Sequence, residues 1–464
     1  MDIHASVLNV PNELWDLTFS YLNMNDILNL SKTHRVFQHS ARRSLYKRVY
    51  IPLQRNKDAQ DFGDLQLFLE LALESASFRP YVHELQLEYT SGFVDNGEFP
   101  RFHRRPSIED RKVYLREISW IKNRTVQKLI ASLPSLHTVT IYIKGNPCSR
   151  QLEQAFVRLL RVALHSCPVE IRLLCAGVYA GPITELAKVP RVTSIAFDSP
   201  VPQAFRGPPV RETEIEYLTH LGLLQNTTNL DLGYNIITDA EALGKLIRNF
   251  PKISSLTLWL RDSVSPAELA RTLEPVDTLR TLHVRREHAC FARSSTAQGL
   301  EPADFGSFKT LRELQIGSSA MLKQLPCDMP PNATTGFIWY FDQSEREAMF
   351  THLPPHLDNL EIMFEWPNSI FAAGASYHTQ FKELPESVKD KGFGWMKRLL
   401  EMGIPKVVLR EKEHGCATWG RRRHGKLTKK MKLPKTVREK CVEAGVRLEV
   451  WLLEPNRDPK MVST

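Results

Sequence analysis

The sequence predicts an α/β protein: a small all-α unit of three short helices, followed by an irregular solenoid with a parallel sheet and outer helices. Three observations carry that prediction. Helix-start signals and helical spacing crowd the first fifty residues, a six-residue apolar pattern recurs from residue 80 onward, and amphipathic segments with capping signals lie between its copies.

The first helix is expected from Asn9, Val10, Pro11, Asn12, Glu13 and Leu14, with Pro11 in the opening turn, where its missing N–H costs nothing, and Glu13 near the positive dipole end. Leu14, Leu17 and Tyr21 follow at helical spacing and Leu22 ends the segment. Asn25 is placed to cap the second helix, whose apolar residues are Ile27, Leu28 and Leu30. A third starts after Thr33 and carries Val36, Phe37 and Ala41 towards Leu45. Three short helices stand near the lower size limit for an independent core, and these hold more large apolar residues than so small a bundle covers. Part of that surface needs a partner.

Val10-Pro11-x-Glu13-Leu14, Tyr21-Leu22, Asp26-Ile27, Leu30-Ser31 and Arg35-x-Phe37 occur in the order and spacing of the F-box pattern, so residues 8–50 resemble the F-box family. The resemblance implies an F-box over residues 1–50 in which Pro11, Leu14, Leu22, Ile27 and Leu30 contribute to a surface buried against a Skp-type adaptor, itself bound to a cullin scaffold. Val10 replaces the usual Leu, Met24 a frequent Pro and His34 a common Cys, and none of these puts a charge into the docking face.

Downstream, the pattern L-x-x-L-x-L appears at Val82/Leu85/Leu87, Leu136/Val139/Ile141, Val192/Ile195/Phe197, Ile253/Leu256/Leu258, Leu279/Leu282/Val284, Leu311/Leu314/Ile316 and Leu357/Leu360/Ile362, with weaker copies starting at Pro168 and Thr227. The copy at Thr227 continues through Asn235 to Ile237, the full leucine-rich-repeat form. Starts at Thr227, Ile253 and Leu279 are 26 residues apart, a leucine-rich-repeat spacing. Elsewhere the spacing stretches, which predicts insertions near 91–111, 285–307 and 317–352.

Helices are expected between the strands, two with capping boxes, Thr238 to Glu241 and Ser265 to Glu268. Strands that can bury their alternate residues only under a neighbouring helix stack into a curved array with a parallel sheet. The scheme closes with a helix over about Gly392–Met402 and strands at Val407–Leu409 and Val446–Trp451. Residues 51–464 thus read as a leucine-rich-repeat-like recognition domain, and the whole chain resembles the F-box/leucine-rich-repeat class. That resemblance implies a non-catalytic substrate-recognition adaptor of a Skp-cullin-F-box ubiquitin ligase. Two rival readings are a Skp-binding scaffold outside a cullin ligase and a nucleic-acid-associated repeat protein using residues 421–435.

On each strand the residues between and just after the last two apolar positions face away from the helices. They include Tyr142, Asp198, Asp231, Thr257, Trp259, His283, Arg285, Gln315 and Met363, and large aromatics and Arg are the usual anchors for a partner. Tyr142, Trp259, His283 and Arg285 are the candidate contacts for an unknown target protein, with Trp259 and Arg285 first. The stretch 91–111, with Phe93, Phe99, Phe102 and His103 among Arg101, Arg104 and Arg105, offers a second contact loop.

The net charge of +9 is local: between Arg421 and Lys435 stand eight basic residues, Arg421, Arg422, Arg423, Lys426, Lys429, Lys430, Lys432 and Lys435, and no acid. The rest is nearly neutral, which disfavours an extended nucleic-acid surface. The run reads as a nuclear-import segment, a dock for an acidic target or a solvated loop. No apolar stretch long enough to span a membrane is present, and the first thirty residues lack the pattern of a secretory signal, so a cytoplasmic or nuclear protein is expected. Seven cysteines without a Cys-x-x-Cys pair are expected to be reduced thiols.

No catalytic residue, metal or cofactor is expected. Gly415 to Gly420 has the glycine spacing of a phosphate loop, but Arg421 and Arg422 stand where Lys and Ser or Thr are needed. His414, Cys416 and His424 lack a fourth ligand, and Cys441 lacks a paired histidine.

Overall fold

The structure, a computed structural model, describes residues 11–52, 68, 70, 72, 74, 77–90, 125–144, 161–162, 164–165, 168–176, 187, 189–198, 224–232, 240–260, 265–286, 301–321, 347–364, 394–411 and 428–453. The fold is mixed α/β, and the chain forms two compact units, Met1–Val201 with His220–Thr227 and Pro202–Thr219 with Thr228–Thr464.

The first unit opens with helices α1 (Asn12–Phe19), α2 (Met24–Thr33) and α3 (Arg35–Tyr46). Their starts differ in detail from the expectation. Pro11, with ψ 145°, stands immediately before α1 instead of inside its first turn, and α1 ends at Phe19, three residues ahead of Leu22. Asn23, not Asn25, caps α2, because its side-chain oxygen accepts the Asp26 N–H at 3.0 Å while Asn25 already has helical backbone. His34 caps α3 by accepting the Val36 N–H on Nδ1 at 3.2 Å. The three helices close around Phe19, Ile27 and Ala41, with Trp15, Leu22, Leu30, Phe37 and Leu45 packed against that centre. Trp15 meets Phe37 edge-on at 4.8 Å.

Helix α3 runs directly into β1 (Arg48–Pro52), a strand too short for the sequence pattern to announce. It pairs in parallel with β2 (Glu84–Thr90), then β3 (Thr138–Lys144), β4 (Glu170–Ala176) and β5 (Val192–Asp198). Register stacks Ile51, Leu87, Ile141, Leu173 and Ile195 in one column, each no more than 3% exposed. Helix α4 (Thr125–Ser132) adds buried Val126, Leu129 and Ile130. A 3-10 turn at Arg79–Tyr81 holds the end of α3 through Tyr46 stacked on Phe78 at 5.1 Å and the Tyr81 hydroxyl 3.2 Å from His39 Nδ1.

The second unit contains β6 (Asn229–Leu232), α5 (Ala240–Ile247), β7 (Ser255–Leu260), α6 (Pro266–Leu273), β8 (Thr281–Arg286), β9 (Glu313–Gly317), α7 (Ser318–Met321), β10 (Asn359–Phe364), α8 (Lys397–Glu401), β11 (Lys406–Glu411), β12 (Thr428–Lys430), α9 (Lys435–Glu443) and β13 (Arg447–Leu453). Its spatial order is β6-β7-β8-β9-β10-β11-β13-β12, parallel throughout except for the antiparallel pair of β12 with β13. Leu230, Leu256, Leu282, Leu314, Leu360, Val407 and Leu448 form one buried column, and Leu232, Leu258, Val284, Ile316, Ile362, Leu409 and Val450 the next. Recurrent hydroxyls tie one copy to the next: Thr278 donates to the Ile253 carbonyl and Thr310 to that of Leu279, at 2.7 and 3.0 Å.

Two local expectations change. Ser265 starts α6 but makes no side-chain capping bond, so that half of the capping box is not formed, and Thr238 lies outside the described residues. Within the segments expected to be inserted, Phe305, Met321, Met349 and Phe350 are buried core residues, and Phe350 stacks on Trp395 at 5.6 Å. Helix α9 ends through Gly445 at φ 67°, with Gly445 N–H bonded to the Val442 carbonyl and Val446 N–H to that of Cys441. That left-handed turn aims the chain into β13, and it favours glycine because a Cβ is strained there.

Candidate functional site

Helix α1 spends Trp15 and Phe19 on the core, which leaves Leu14 and Leu17, three residues apart, as a second apolar stripe, with Tyr21 exposed in the turn just after the helix. Those three are 53, 55 and 82% exposed, and Met24 and Leu28 of α2, again four residues apart, are exposed as well. Of the nine large apolar side chains exposed among the described residues, these five lie within fifteen positions of each other. Single exposed apolar residues are ordinary, whereas five grouped this closely along the chain are not.

The residues expected to meet an adaptor are distributed unequally over this bundle. Pro11 and Leu14 are exposed, Leu22 and Leu30 are half-buried against the core, and Ile27 is inside it. Ile27 therefore sets the spacing of α1 and α2 and presents no surface of its own. Leu17, Tyr21, Met24 and Leu28 lie outside the expected contact set, although the three-residue spacing of Leu14 and Leu17 and the four-residue spacing of Met24 and Leu28 are readable in the sequence.

On the sheets, Tyr142 of β3 is half-buried beside Glu88 in register. The Tyr50 hydroxyl donates to the Glu88 carboxylate, and burial together with that bond pushes the phenol up to about 12. In the second unit His283 is half-buried between Thr257 and Gln315, and Trp259 and Arg285 are direct register partners on β7 and β8. The side chains of Trp259 and Arg285 lie outside the described residues, as does the contact loop 91–111.

The basic segment is divided. Arg421, Arg422, Arg423 and Lys426 lie outside the described residues, whereas Lys429 and Lys430 belong to β12 and pair with Leu452 and Trp451 of β13. The Glu449 carboxylate draws this end together. It accepts from Lys430 Nζ at 2.9 Å, from Arg447 Nη2 at 2.7 Å and from Trp451 Nε1 at 3.3 Å. The Lys430 and Arg447 bonds hold its carboxyl down at about 2. Arg410 lies 5.0 Å over the Trp451 ring and donates from Nε to Glu361 at 2.9 Å.

The Cys441 thiol is buried and burial pushes its pKa up, opposite to what a thiolate nucleophile needs. Among the described residues, no cluster of three or more His, Cys, Asp or Glu has the geometry of a metal site, and no helix is long and apolar enough to cross a membrane. His414, Cys416 and His424 lie outside the described residues. Comparison with protein-family models and with curated proteins returned no match for this chain.

Proposed function

We propose that the chain is a non-catalytic adaptor: helices α1 and α2 dock a Skp-type protein, and through it a cullin, while the strand–helix array presents a target for ubiquitination. The exposed group of Leu14, Leu17, Tyr21, Met24 and Leu28 is the observation that carries this reading, because it lies on α1, α2 and the turn between them, whose sequence resembles the F-box. Burying one leucine on a partner contributes about 2 kcal/mol, so five such side chains supply ample affinity even after association costs. The in-register columns of the pattern residues support a leucine-rich-repeat-like array, and Tyr142, His283, Trp259 and Arg285 are its candidate target contacts. The cytoplasm or nucleus is where such an adaptor would work.

The test is co-purification of the tagged chain with a Skp adaptor and a cullin, beside a Leu14→Ala, Leu17→Ala, Tyr21→Ala variant whose melting temperature is checked first. Recovery of both partners by the wild type alone is the expected result. Recovery of the adaptor without cullin transfers the chain to the scaffold role, and equal recovery by the variant overturns the docking face.

A further inference from the structure

The carboxyl-terminal strands carry a surface of different chemistry. On β11, β12 and β13 the positions facing away from the leucine columns hold Lys406, Arg410, Lys430, Arg447 and Trp451. Glu361 of β10 and Glu449 of β13 share that face, so four cations meet two carboxylates. Three of the cations are fixed in place and still open to solvent. Arg410 is held by Glu361 and Trp451, and Lys430 and Arg447 by Glu449, yet their side chains remain 35, 49 and 71% exposed. The fourth, Lys406, stands directly opposite Arg447 in register and has no ion pair among the described residues. Like charges placed opposite each other across a parallel pair destabilise it, and an anion bound between them relieves that cost.

We propose that this face docks an acidic peptide segment of the target, rich in Asp and Glu, whose carboxylates meet Lys406, Arg410, Lys430 and Arg447. Arg410, Lys430 and Arg447 have already lost much of their rotamer freedom to Glu361, Glu449 and Trp451, so for them little ordering remains to be done on binding. Nucleic acid fits the face less well. The two resident carboxylates oppose a continuous phosphate backbone, and the Trp451 ring that a base would stack on is covered by Arg410. The proposal rests on the target-capture half of the function given above and is independent of the adaptor half.

The experiment is fluorescence anisotropy of the purified full-length chain with a labelled poly-glutamate peptide, beside a glycine-serine peptide and a single-stranded oligonucleotide. The expected result is binding of poly-glutamate alone, weakening as salt rises, and about tenfold weaker in the Arg410→Gln, Arg447→Gln double variant. If that variant melts early, Lys406→Glu, exposed and unpaired, replaces it and is expected to weaken binding several-fold. No binding of poly-glutamate, binding unchanged in these variants, or tighter binding of the oligonucleotide overturns the proposal. None of these outcomes involves the adaptor, so the co-purification result stands or falls separately.

Discussion

The helices of residues 12–46 and the strand columns from residue 84 onward treat their apolar residues in opposite ways. In the strands every described residue at the second and third positions of the recurring pattern is buried, and in the inner strands, such as β7 and β8, each has a register partner on both sides. In α1 and α2 one apolar stripe makes the core and a second is left in solvent. A small bundle has one interior and cannot cover two stripes on the same helix. The contrast separates apolar residues buried in the fold from apolar residues left in solvent, and mutation can probe that separation directly.

The largest stability effect is expected inside a column. Leu256→Ala or Leu282→Ala should lose about 2–5 kcal/mol in urea unfolding, since the neighbouring strands cannot close the cavity. A loss under about 1 kcal/mol would mean that the columns are not the core. Leu14→Ala should change stability by no more than about 0.5 kcal/mol but weaken adaptor binding by about 2 kcal/mol, measured by calorimetry. The reverse result would make that stripe structural and erase the contrast. Asn23→Ala should cost about 1 kcal/mol through loss of the α2 cap, whereas Asn25→Ala should be near neutral in the same assay.

Smaller effects follow from titration. Glu449 has a folded pKa of about 2 against 4.5 for the free group, so it contributes stability above pH 4.5 that is lost as the pH falls from there towards 2. Glu449→Gln should flatten that part of the acid unfolding curve. Tyr50 works at the other extreme: its folded value of about 12 lies above the usual 10, so stability is lost as the pH rises from 10 to 12. Tyr50→Phe should remove that alkaline slope and one late-ionising phenol from the ultraviolet titration.

Sequence by itself determined the elements whose signal is local and periodic. Two-residue alternation inside L-x-x-L-x-L places Leu256 and Leu258 on one face of a strand whatever surrounds them, and three-residue spacing does the same for Leu14 and Leu17 on a helix. Tertiary structure decided which stripe faces inward, as with Ile27, predicted at a contact and found in the core. It also recruited Phe305, Phe350 and Trp395 from outside the pattern, and made a strand of Lys429 and Lys430, which read as part of a charged segment. The reason is that burial and strand pairing depend on neighbours distant along the chain: β12 exists because β13 offers it an edge and Glu449 a counter-charge, and neither is visible in the residues of β12 alone.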